Sequence, residues 1–236
     1  MIARVAVVPH PPLLVPELVP GAEQETAPVR DAALEAVSWL RDAHRHWLAV
    51  GAHDGTPAEV PAGRCGSFAG YGVDIPVTLS AGVPAAAGSP DLPLPALVAA
   101  WLRDQAGAAS VRVKLISTAA SRAECEALGH RLRGHRDDVG LLVLGDGSHR
   151  HGCLAPGRPD DRSSTFDDSV ATALKGVDTA ALLALDPGLA AELGAVGRAP
   201  WQVLAGLADG GRWRGDLLYS DAPFGVAYHV AVWERG

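Results

Sequence analysis

Cysteine is scarce in this 236-residue chain: Cys65, Cys125 and Cys153 are odd in number, scattered, and without a pair at CxxC spacing. That excludes a disulfide framework, and three free thiols suit a reducing cytoplasm. Cys153 reads as a free buried thiol. Positive charge is also short. The formal net charge is −7, which excludes a nucleic-acid surface of the usual basic kind. No uninterrupted apolar run approaches the roughly 18–20 residues that span a bilayer, and Met1 leads straight into strand-like sequence without a basic and apolar leader. The expectation is a cytoplasmic protein with no membrane or nucleic-acid partner. Gly145-Asp146-Gly147-Ser148 resembles a phosphate-cradling turn but lacks the GxxxxGK[ST] pattern and its lysine, and no GxSxG elbow is present. There is neither a repeat nor a domain linker. With 48% hydrophobic residues, the chain is long enough for one α/β domain over residues 1–236.

What is present is an alternation of strand-like and helix-like segments. Residues 2–8 read as a strand. Val29, Ala33, Ala36, Val37 and Leu40 recur at helical spacing and predict a helix from Glu23 to about Ala43. Strands are expected at 47–51, 73–79, 110–116 and 139–144, with Pro76 marking a sheet edge or a bulge. Helices are expected at 97–105 and 121–133, the second opened by a Ser121–Glu124 capping box. Residues 81–95 read as a long loop. Further on, a helix opens at Phe166, and Asp178 and Asp186 read as caps of two short helices. A helix over 200–208 and two closing strands, 212–219 and 224–233, complete the pattern. Their aromatic residues suggest an edge at Tyr228–Trp233 for pairing with a second copy. The paired acids at 160–161 and 167–168 read as solvated helix starts.

Three of the strands end near histidine. Val7-Val8-Pro9-His10-Pro11-Pro12 puts His10 on a loop that its prolines hold extended or turned. Val50-Gly51-Ala52-His53-Asp54-Gly55 is a second junction, and Leu144-Gly145-Asp146-Gly147-Ser148-His149-Arg150-His151 a third. Parallel neighbouring strands bring such turns to one edge of a sheet, where open α/β folds place their ligands. Imidazole is both a common metal ligand and an acid–base group near neutral pH. A metal site or an acid–base site is the leading reading. His229, on the last strand, is a further candidate.

The segments "VPHPPLLVPEL", "VGAHDG", "GDGSH" and "GRAPWQVL" resemble the class III extradiol ring-cleavage dioxygenases, the LigB-like family, in its small actinobacterial-type branch. The Memo proteins are more distant relatives. The resemblance runs over nearly the whole chain and implies one domain with a mostly parallel or mixed sheet flanked by helices. It implies a non-haem Fe(II) held by His10 and His53, with His149 as the acid–base residue, Asp146 orienting it, and His151 as a less favoured substitute. The reaction implied is cleavage of a catechol-like diol by O₂. The third ligand of the ring-cleaving enzymes is a glutamate before a Trp-containing helix, and Memo-type proteins carry a Cys-Gly-Arg motif there. Here the segment reads Val196-Gly197-Arg198, and valine binds no metal. Glu192, one turn earlier, is the nearest carboxylate.

Two alternatives follow from that departure. One is a Memo-like binding protein, with or without metal and with no oxygen chemistry. The other is a hydrolase or lyase with Zn in place of Fe.

Overall fold

In the computed structural model, which describes residues 1–84, 92–135 and 137–236, seven strands form one mixed sheet. Its parallel centre is built from β1 (Arg4–Val8), β2 (His46–His53), β6 (Ser110–Ser117) and β7 (Gly140–Leu144), in the spatial order β6-β2-β7-β1. Antiparallel strands close both sides: β3 (Ala58–Val60) beside β6, and β9 (Tyr228–Arg235) beside β1, followed by β8 (Trp213–Asp221). A separate two-stranded sheet pairs β4 (Cys65–Ser67) with β5 (Pro76–Thr78). The segment expected as a strand over 73–79 is therefore shorter and stands outside the main sheet. Pro76, which cannot donate to a ladder, fits that margin. Strand β9 lies between β1 and β8, so its aromatic residues pack inside the sheet rather than offering an edge to a second copy.

The central strands are buried on both faces and read as continuous apolar runs, as parallel strands covered by helices do. Alternation divides their side chains between two cores. Ala6, Val8, Trp47, Ala49, Leu142 and Leu144 face α1 (Glu23–Ala43) and α2 (Leu94–Ala106). Val5, Val7, Leu48, Val50, Leu141 and Val143 face the other layer. That layer holds α3 (Arg122–Arg133), α4 (Arg162–Gly176), α5 (Thr179–Leu183), α6 (Pro187–Leu193) and α7 (Arg198–Ala208). The Ser121 capping box is formed, and the Asp178 and Asp186 side chains accept the backbone N–H of Ala181 and Leu189 as helix caps. Helices α2, α4 and α7 begin two to four residues earlier than expected. Most of the loop expected at 81–95 lies outside the described residues. None of the three cysteines is in a disulfide. Cys153 is exposed, against the expectation, because it sits on a short 3-10 turn (Gly152–Leu154) that buries none of its residues. Cys125 is the buried one, and burial pushes its thiol up to about 11.

Helices α3 and α7 pack at close range because glycines face each other. A Cβ at Gly129 would stand 2.3 Å from the Val203 carbonyl oxygen and 2.5 Å from the Leu207 nitrogen, and Gly206 meets the Glu126 backbone in the same way. Backbone cannot move aside as a side-chain tip can. Gly129→Ala is expected to lower stability by about 1–3 kcal/mol, as overpacking does, which urea denaturation will measure.

Candidate functional site

The parallel order of β6, β2, β7 and β1 carries the loops after these strands to one edge of the sheet. The histidine-bearing turns after β1, β2 and β7 meet there, as their strand ends led one to expect. Strand β9 runs the opposite way, so its beginning, Tyr228 and His229, reaches the same edge. The turn after β7 is the hub. Gly145 and Gly147 are needed for close approach rather than for flexibility. A Cβ on Gly145 would lie 2.4 Å from the Gly197 α-carbon, and one on Gly147 would lie 2.3 Å from an Asp167 carboxylate oxygen.

His10 is buried. Its backbone N–H donates to Asp146 Oδ1 at 2.8 Å, and its ring Nδ1 stands 3.7 Å from the same oxygen, beyond hydrogen-bond reach. That Nδ1 is buried without a hydrogen-bond partner. Asp146 therefore positions the His10 loop. The expectation that it orients His149 from its own turn is corrected: parallel pairing of β1 with β7 sets the His10 N–H at its carboxylate, and His149 Nδ1 has no hydrogen-bond partner. Tyr228 lies fully buried nearby, and burial together with the Asp146 charge drives its hydroxyl pKa well above the ordinary phenol value.

His149 follows on the same turn, half-buried, its backbone N–H donating to the Leu193 carbonyl at 3.1 Å. Its ring lies over the α-carbon of Gly194, where an added Cβ would meet Nε2 at 1.8 Å. Its Nδ1, like that of His10, is buried without a partner. Leaving a buried polar atom unpaired costs about 1–3 kcal/mol; Arg150 Nε and Trp201 Nε1 are buried without a partner as well.

On the other face stands a network that the sequence does not announce. Asp167 of α4, read above as a solvated helix start, is buried. One of its oxygens accepts from His151 Nε2 at 2.6 Å and the other from His229 Nε2 at 3.2 Å, while the Ser148 N–H donates to the pair at 3.1 and 3.3 Å. The second ring nitrogen of His229 meets Ser220 Oγ at 2.9 Å, and its ring stands edge-on to Trp201. Ser148 Oγ donates to the Leu193 carbonyl and touches Ser163 Oγ at 2.8 Å. His151 and His229 are thus held by a carboxylate. Helical periodicity was the available signal: Asp167 lies next to Phe166 and one turn before Val170, both on the buried face of α4.

The remaining metal-ligand candidates stand apart. His53 is turned into its own loop: its Nε2–H donates to the Thr56 carbonyl at 2.9 Å, and its Nδ1 accepts the Gly55 N–H at 3.2 Å. Asp54 accepts from Thr118 Oγ1 at 2.7 Å. Glu192 is exposed at the end of α6 and pairs with Arg162 at 2.8 Å. A guanidinium within reach on α4 captures this carboxylate away from the histidines, so Glu192 does not complete a triad with His10 and His53. Among the described residues, no group of three or more His, Cys, Asp or Glu is gathered to hold a metal ion. Val196 lines a cavity of about 480 Å³ next to Gly194, bounded also by Asp54, Thr118 and Arg198.

The fold is a three-layer α/β domain with a mixed sheet and a ligand edge of the open-sheet kind. No family profile matches the chain, and no curated protein does. Among solved structures it is similar to the uncharacterized protein JW3007 from Escherichia coli K12, with a TM-score of 0.61 and 14% identity, over 98% of this chain and 99% of that one. At that identity the likeness is one of fold. No helix among the described residues is long and apolar enough to cross a membrane.

Asp167→Asn tests the network. The amide turns a donor toward one of three N–H groups that now find only acceptors, and a buried network loses its charge. Stability is expected to fall by about 3 kcal/mol or more, read from thermal or chemical denaturation against wild type.

Proposed function

We propose that this protein binds a phenolic small molecule of the catechol kind at the carboxyl edge of its sheet, and that His149 takes the phenolic proton. The observation that carries this reading is the pair of buried, partnerless Nδ1 atoms, on His10 and His149, at the ends of neighbouring strands. A phenolic hydroxyl can donate to such a nitrogen or accept from it according to tautomer, and imidazole has the basicity to accept a proton near neutral pH. Asp146, bonded to the His10 backbone, holds one wall of this arrangement. Three cysteines outside any disulfide and a negative net charge support a cytoplasmic setting without nucleic-acid partners.

This is the substrate-holding part of what the resemblance to the extradiol dioxygenases implies. The iron implied with it does not fit the donor set as it stands. His10 offers a free nitrogen, but both nitrogens of His53 are engaged within their own turn, and Glu192 is engaged by Arg162. No oxygen step is therefore derived. Zn would meet the same obstacle at His53. Ring cleavage by a metal-dependent oxidoreductase is kept as a second reading because His10 Nδ1 is the kind of orphaned atom a metal ligand leaves. It requires the 53–57 turn to release His53 and a carboxylate other than Glu192.

The two readings part in one experiment. Chelator-treated protein is titrated with 4-nitrocatechol while the absorbance of its anion is followed, and metal content is measured on protein purified without oxygen. The first reading expects the anion band on binding to metal-free wild type and its loss in His149→Gln. Near-stoichiometric iron that disappears in His10→Ala, with oxygen uptake on catechols, would establish the second. No spectral change at millimolar ligand overturns the first.

A further inference from the structure

Arg198 is the buried cation of this edge, and no carboxylate pairs with it. It is 2% exposed, and no acidic side chain among the described residues lies within 4.0 Å of it. Its guanidinium is held by neutral oxygens: Nη1 donates to the Ala120 carbonyl at 2.5 Å and to Gln202 Oε1 at 3.1 Å, and Nη2 donates to the Thr118 carbonyl at 2.6 Å. Nη1 also stands 3.8 Å from the Cys125 sulfur. A guanidinium has five N–H donors. The second Nη2 proton and the Nε–H find no partner among the described residues, and together they make the fork that takes two oxygens of one carboxylate. A charge buried without a counter-charge is costly unless something compensates it.

What lies beside it is a cavity. Arg198 lines the space of about 480 Å³ between the loop after β6 and the start of α7. The walls are otherwise mainly apolar: Pro187, Ala190, Ala191, Ala195 and Val196. Helix α7 begins at Arg198 with no side-chain cap, so its positive end adds to the guanidinium. Asp54 at the rim is exposed and occupied by Thr118.

We propose that this cavity is a binding site for a small monoanionic carboxylate with an apolar body, its two oxygens on the Nε and Nη2 edge of Arg198. One guanidinium among alanine and valine side chains suits a flat carboxylate. A phosphate dianion would want more donors than one guanidinium offers, and the Asp54 charge at the rim opposes a dianion more strongly than a monoanion. The site is separate from the two histidines of the proposed function: Gly194, on which the His149 ring rests, forms part of its wall.

Benzoate is the probe, titrated by calorimetry into metal-free full-length protein, with benzyl alcohol as its neutral counterpart and inorganic phosphate as the rival anion. Benzoate is expected to bind at least about tenfold more tightly than either, as loss of a charge-assisted pair implies. Arg198→Met is expected to remove the preference for benzoate over benzyl alcohol. Because Arg198 also tethers α7, a second variant guards against misfolding. Ala191→Phe fills the cavity from an exposed position, and is expected to abolish benzoate binding while the thermal midpoint stays near that of wild type. Equal binding of benzoate and benzyl alcohol, tighter binding of phosphate, or unchanged benzoate binding in Ala191→Phe overturns the proposal. The readout involves neither His149 nor 4-nitrocatechol, so its failure and that of the proposed function are told apart.

Discussion

The carboxylate of Asp167 is the constraint on which this edge depends. Buried on the inner face of α4, it accepts from two histidines and one backbone N–H that come from two places in the chain, the turn after β7 and the start of β9. It thereby ties the turn after β7 to the first residues of β9 and to the body of α4. The turn could not meet it with any residue but glycine at position 147, since a Cβ there would overlap the carboxylate. Asp146 and His149, on either side of this anchored stretch, take their positions from it. A hydrogen bond to a charged acceptor in a dry surrounding is stronger than one in water, and the same dryness makes its loss expensive. The network is therefore better read as scaffold than as reagent, and the histidines it holds differ in kind from those it leaves free.

That difference sorts the histidines of the edge. His151 and His229 have a carboxylate partner. His53 has its own turn. His10 and His149 keep a buried nitrogen unpaired. An acid–base group needs one nitrogen open to the proton it moves; His10 and His149 meet that condition at a buried nitrogen, and His151 meets it at Nδ1, its Nε2 alone being held by Asp167. Asp146 reinforces it from the backbone side, holding the His10 loop by an N–H and leaving the ring nitrogen just out of reach.

Much of this fold was legible in order and type. Short apolar runs named the main-sheet strands except β3, which, like β4, is three residues long and carries no such run, and helical spacing named α1 from its first residue to its last. Short-range capping at Ser121, Asp178 and Asp186 was readable because each bond spans three residues. The convergence of His10, His53 and the 145–151 turn at one edge was inferable from parallel pairing alone. What stayed hidden was long-range partnering. Asp146 reaches His10 across 136 residues, and Asp167 reaches His229 across 62. A local pattern cannot say which of two neighbouring acids turns inward, nor that Arg162 lies near enough to capture Glu192. The strand over 73–79 was misplaced for a related reason: β propensity does not tell which sheet a segment joins.

The charges of the edge then carry the argument one step past the individual sites. Asp146 and Asp167 stand with the histidines, whereas the buried cation, Arg198, stands on the far side of Gly194. A molecule spanning both regions would meet proton acceptors at one end and a proton-rich fork at the other. Such polarity discriminates by orientation as well as by affinity, because a reversed molecule would set an anion against carboxylates and leave the guanidinium unpaired. Like-charge juxtaposition and unpaired buried charge are the stronger sources of specificity in a small site. Val196 belongs to the same design, since an apolar wall beside Arg198 sharpens the contrast between this cavity and the histidines beyond Gly194.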